Sequence, residues 1–84
     1  MLAPMSKRVI LGAAVKAIRE AKAESDPRFR AAQFAITCLM SPGHLCNIEK
    51  ARKFPPEDVI HRIAAHLQVP VEAISYIVES EQAA

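Results

Sequence analysis

Only two glycines and two cysteines occur in the 84 residues, and aromatic side chains make up 5% of the chain. Two cysteines cannot build a disulfide scaffold, and inside a cell they are expected as thiols. No run of eighteen apolar residues occurs, which excludes a membrane-spanning helix. The start, Met1 to Arg8, lacks the basic-then-apolar order of a secretory signal, so a cytoplasmic protein is expected. Clusters of β-branched and aromatic residues with period two are also missing, and no strand is read from the sequence.

What is present points to helices. Alanine occurs fifteen times, and 51% of the chain is hydrophobic, too much for a disordered polymer. The length allows one domain, residues 1–84, with its core over 9–80 and fraying tails. Six prolines divide the chain into segments of helical length.

Leu11, Val15, Ile18 and Lys22 form a first apolar stripe over about Val9–Ala23. Ser25-Asp26-Pro27 carries an N-cap followed by proline at the first helical position, opening a second segment over about Pro27–Leu39. Ser41-Pro42-Gly43 repeats that grammar for a third, in which Leu45 and Ile48 point inward and which ends near Ala51. Phe54-Pro55-Pro56 is a rigid connector. The fourth segment has the clearest period, with Val59, Ile60, Ile63, Ala64 and Leu67 on one face and Glu57 and Asp58 in the first turn. Val71–Ser80 reads as a fifth helix.

The net charge of +2 conceals a division. Residues 1–56 carry ten Lys and Arg against four acids, a net +6, and residues 57–84 carry Arg62 against five acids, a net −4. A basic front half suits a polyanion, and an acidic back half suits a different contact.

Segments two and three, joined by a tight turn at Leu39-Met40-Ser41, permit a helix-turn-helix whose second helix enters the major groove. The residues themselves carry a resemblance. Ser41-Pro42-Gly43-His44-Leu45-Cys46-Asn47-Ile48-Glu49-Lys50 resembles the recognition helix of the phage-repressor (Cro and XRE-type) helix-turn-helix family. Arg52-Lys53-Phe54-Pro55 is similar to the basic, proline-ended loop that follows it, and Arg62–Val69 to the family's fourth helix. Phe34-Ala35 occupies the Leu-Ala pair of helix two, and Leu11-Gly12 to Arg19 the first helix, so the likeness covers roughly Leu11–Ile74.

The resemblance implies an all-α, compact five-helix, lambda-repressor-like domain that binds double-stranded DNA and regulates transcription, commonly as a repressor. It implies base-reading positions at Pro42, Gly43, His44 and Asn47 and a structural ion pair between Arg19 and Glu49. Arg28, Arg30, Gln33, Ser41, Lys50, Arg52 and Lys53 flank the recognition helix as phosphate contacts. Tyr76, Ile77 and Val78 on the fifth helix exceed the needs of one core face, and are read as the surface of a homodimer. The chain would then reside at the nucleoid.

Several positions depart from the family pattern. Its turn glycine is Leu39 and its helix-three terminal glycine is Ala51, so left-handed backbone is disfavoured at both. Ala31 replaces the glutamine that opens helix two, and about five extra residues follow Arg19. Pro42 and Gly43 offer no side-chain hydrogen bond to a base. They favour an alternative, a protein-interaction module such as an antitoxin or repressor cofactor that keeps the fold with weakened base readout.

Other chemistry finds no support. Cys38 and Cys46 lie eight residues apart, and His61 and His66 sit about 140° apart around a helix, so no metal site and no cofactor are expected. Ser41 is explained as an N-cap and no acid–base pair has catalytic spacing, so an enzyme is not expected.

Overall fold

The computed structural model describes residues 5–80. It contains β1 (Met5–Ile10), α1 (Gly12–Ala23), α2 (Ala31–Thr37), α3 (Pro42–Glu49), α4 (Glu57–Leu67) and β2 (Ser75–Ser80). Single 3-10 turns at Pro27–Phe29 and Val71–Ala73 precede α2 and β2. The sequence-based expectation of an all-α five-helix domain is therefore wrong. The segment read as helix five is a short 3-10 turn followed by a strand, and β2 pairs antiparallel with β1 in a two-stranded sheet. The expected fraying after Ser80 lies outside the described residues.

The strand has a local reason. Tyr76, Ile77 and Val78 are aromatic or β-branched and fit a pleated surface. Ile74 ends the preceding turn, and its carbonyl accepts the Leu11 amide at 2.7 Å, extending the β1–β2 contact past the ribbon. The register places Val9 opposite Tyr76, Arg8 opposite Ile77 and Lys7 opposite Val78. Period-two alternation does not show in the sequence because Tyr76, Ile77 and Val78 are apolar in succession and all three remain exposed.

β1 also takes Val9 and Ile10 out of the first helix, which starts at Gly12. The buried line of α1 is Gly12, Val15 and Arg19, which keeps Val15 of the stripe read from the sequence but leaves Ile18 and Lys22 half-buried and Leu11 exposed. Asp26 caps the 3-10 turn at Pro27 by accepting the Arg28 amide at 2.9 Å. That turn lies in the stretch between α1 and α2 where the resemblance implied about five extra residues. α4 buries Ile60, Ile63, Ala64 and Leu67, as its period predicts, and ends with Gln68 in left-handed backbone.

These faces meet in one core: Ile10, Val15, Phe29, Phe34, Ala35, Cys38, Leu45, Ile48, Ile60, Ile63, Ala64, Leu67 and Ile74. Phe29 and Phe34 stack with ring centroids 6.0 Å apart, and the Lys22 ammonium lies over the Phe29 ring. Burying such side chains stabilises by about 1.5–3 kcal/mol each, which is what holds the helices and the inner residues of the strands around one core.

Candidate nucleic-acid interface

α2 and α3 are joined by Cys38-Leu39-Met40-Ser41, and the turn depends on one residue in left-handed backbone. Leu39 has φ 63°. The conformation disfavoured for a side-chain-bearing residue is adopted nonetheless, a correction to the sequence-based expectation. Two backbone bonds compensate: the Leu39 amide donates to the Ile36 carbonyl and the Met40 amide to the Ala35 carbonyl, both at 3.0 Å. The Leu39 side chain is 78% exposed, so the turn carries no burial that resists it. The Arg62 guanidinium donates to the Cys38 carbonyl at 3.3 Å and ties α4 to the same turn.

Ser41 then caps α3, its hydroxyl accepting the His44 amide at 3.1 Å with Pro42 at the first helical position. Leu45 and Ile48 are fully buried, which turns the opposite face outward. Pro42, Gly43, His44, Cys46 and Lys50 are exposed there and Asn47 is half-buried. Three of the four residues read as base contacts thus stand together at the start of α3, with Asn47 one turn on. Nothing lies within 4 Å of where a Gly43 Cβ would stand, so another molecule could approach the backbone there.

α3 ends at Glu49, short of the expected Ala51. Ala51 has φ 61°, so the second position where left-handed backbone was expected to be disfavoured is also left-handed, against expectation. The Asn47 carbonyl accepts the Arg52 amide at 2.8 Å and the Lys53 amide at 3.3 Å, folding that basic pair back against the end of α3. Lys50, Arg52 and Lys53 are exposed, as are Arg30 and Gln33 at the start of α2. Arg28 is exposed too, but its guanidinium grips Asp26 with its closest contact at 2.7 Å. That guanidinium holds the Asp26 carboxyl below the usual carboxylate range. Arg28 is therefore engaged, whereas Arg30, Lys50, Arg52 and Lys53 take part in no ion pair among the described residues.

The orientation of α3 is set by Arg19 and Glu49. Arg19 Nε donates to one Glu49 oxygen at 2.7 Å and Nη2 to the other at 3.0 Å, while Nη1 donates to the Phe29 carbonyl at 3.1 Å. Their side chains are 7% and 6% exposed. The Glu49 hydrogen bond raises the Arg19 pKa, against the effect of burial. Gly12 makes this approach possible: a Cβ there would overlap the Ile48 carbonyl and stand 2.8 Å from the Glu49 carbonyl oxygen. The sequence reading placed Gly12 in the first helix without assigning it a role. Its being one of only two glycines was the available signal. Arg62 had none, because its partner is a backbone carbonyl twenty-four residues away.

The two thiols differ. Cys38 is buried in the core, where desolvation pushes its pKa up to about 11, and Cys46 is exposed on α3. Among the described residues no group of three His, Cys, Asp or Glu side chains is placed to hold a metal ion. No helix among them is long and apolar enough to cross a membrane.

Tyr76, Ile77 and Val78, read as a dimer surface on a terminal helix, lie on β2 and are 47%, 52% and 43% exposed. A contact through a C-terminal helix is thereby excluded within residues 5–80. What the geometry defines is a small mixed α/β domain presenting one short helix, with cations at its end, from a core closed by a terminal β-ribbon. No family model matches the chain, nor does any curated protein or solved structure.

Proposed function

We propose that the chain binds double-stranded DNA through the α2–turn–α3 unit, with α3 in the major groove, and acts as a repressor-like transcription regulator in the cytoplasm. One observation carries this reading. α3 buries Leu45 and Ile48 and turns outward a face bounded by Lys50, Arg52 and Lys53 at one end and by Arg30 and Gln33 on the neighbouring helix. A short helix held at one side by the core and flanked by exposed cations suits a groove between two phosphate strands.

In this arrangement His44 and Asn47 read base edges, Asn47 by the bidentate contact that amides make with adenine. Pro42 and Gly43 allow close backbone approach and add no hydrogen bond of their own, so part of the specificity rests on DNA shape. Lys50, Arg52, Lys53, Arg30 and Ser41 hold phosphates, and Arg28 joins them on releasing Asp26. The protein acts as a homodimer on a two-fold site.

Selection from a pool of random duplexes tests the reading. Enrichment of two related half-sites about 34–36 Å apart, one helical turn, is the expected result. The exposed, hydrogen-bond-poor Pro42-Gly43 pair favours a second reading, a protein-interaction module. Failure to retain any duplex at low salt would decide for it.

A further inference from the structure

The two-stranded ribbon has two outer edges, and they differ. β1 carries Lys7 and Arg8 in succession. A groove lined also by Ile77 of β2 separates the ribbon from the Phe54-Pro55-Pro56 connector and the start of α4, and across it Arg8 Nε donates to Glu57 at 3.1 Å. β2 carries no charge from Ser75 to Val78. Tyr76, Ile77 and Val78 are exposed in succession, so both faces of β2 are open, since neighbouring side chains in a strand point to opposite faces.

We propose that β2 pairs antiparallel with β2 of a second copy, giving one continuous four-stranded sheet across a two-fold axis. Self-pairing of a strand in antiparallel sense is the isologous contact that such an axis requires. Charge selects the edge. Across a two-fold axis perpendicular to the sheet one residue must face its own copy, and a register centred on Ile77 sets Ile77 opposite Ile77, Tyr76 opposite Val78 and Ser75 opposite Glu79, so no like charges meet. The symmetric registers centred on the charged pair of β1 set Lys7 opposite Lys7 or Arg8 opposite Arg8, which is repulsive, and lysine on an edge strand is a common guard against such pairing. The inference rests on the homodimer reading above and specifies its interface.

Sedimentation equilibrium of the full chain without DNA, from about 1 to 200 µM, separates the outcomes. The wild type sediments as a dimer at high concentration. Ile77→Lys and Val78→Lys each raise the dimer dissociation constant at least about tenfold, because each change enters the contact twice. Phe54→Ser, an exposed apolar residue across the groove, leaves it unchanged. A wild type that stays monomeric overturns both this inference and the homodimer reading. A dimer indifferent to both lysine substitutions, or dissolved by Phe54→Ser, overturns the β2 contact alone. Amide exchange in the wild type supplies a measurement independent of variant folding. Protection over Ser75–Glu79 rises with protein concentration if β2 is the seam, and concentration-independent exchange there contradicts it.

Discussion

The Arg19 guanidinium and the Glu49 carboxylate form a buried, two-point ion pair that links the middle of α1 to the last residue of α3. With the third donor on the Phe29 carbonyl, Arg19 holds α3 and the 3-10 turn before α2 from one point. The pair positions the outward face of α3 and does not belong to it. Glu49→Ala leaves a buried guanidinium without its partner and is expected to destabilise by about 3–5 kcal/mol. Thermal unfolding checks this, and a wild-type melting temperature in Glu49→Ala would remove the pair from the account.

Gly12 sets the distance at which that pair can form. Gly12→Ala pushes a methyl group into the Ile48 and Glu49 carbonyls, neither of which can rotate away. The expected loss is about 1–3 kcal/mol, the usual range for overpacking, despite alanine's higher helix propensity. Chemical denaturation measures it, and a gain in stability would show that α1 and α3 stand farther apart.

Leu39 and Ala51 occupy left-handed backbone on either side of α3. Such conformations cost a side-chain-bearing residue about 1–2 kcal/mol, and glycine's larger unfolded-state entropy offsets about 0.5–1 of that. Leu39→Gly and Ala51→Gly are therefore expected to stabilise by roughly 0.5–1 kcal/mol each, both being exposed. A fall in the denaturation midpoint of either variant would contradict the strain argument.

The thiols give a pH signature. The folded state holds the Cys38 thiol protonated up to about 11 against an ordinary value of 9.0. Between those values the unfolded chain binds fewer protons than the folded one, so stability falls as pH rises, with the contribution intact below about pH 9. Denaturation of the wild type and of Cys38→Ala over pH 8–11 should show a slope that is shallower in the variant. Exposure alone predicts that a thiol reagent labels Cys46 and not Cys38 in the native protein, and labelling of both without denaturant would contradict the burial of Cys38.

Local grammar made most of the helical framework legible. The Asp26 and Ser41 caps, the prolines after them and the Ile60–Leu67 stripe each specify an element from a few neighbouring residues. The ribbon was not legible in this way. Val9 and Ile10 join strand partners at Tyr76 and Ser75, more than sixty residues distant, and neither strand alternates. Leu39 and Ala51 misled for a related reason. Residue type predicts the intrinsic cost of left-handed backbone, but not the Met40–Ala35 and Arg52–Asn47 bonds that offset it. On α3, exposure of Pro42, Gly43 and His44 followed from the burial of Leu45 and Ile48, whereas the engagement of Arg28 by Asp26 required the fold.

Binding to mixed-sequence duplex DNA at 50 and 200 mM salt is the most direct test of the central claim. With about five phosphates contacted, log K falls against log salt with a slope near −4 to −5, so affinity drops by about 250- to 1,000-fold across that interval. Joint substitution of Lys50, Arg52 and Lys53 by alanine should weaken binding and flatten the slope by about 3. Affinity independent of salt, or unchanged in the triple variant, would contradict a DNA-binding role for the face of α3.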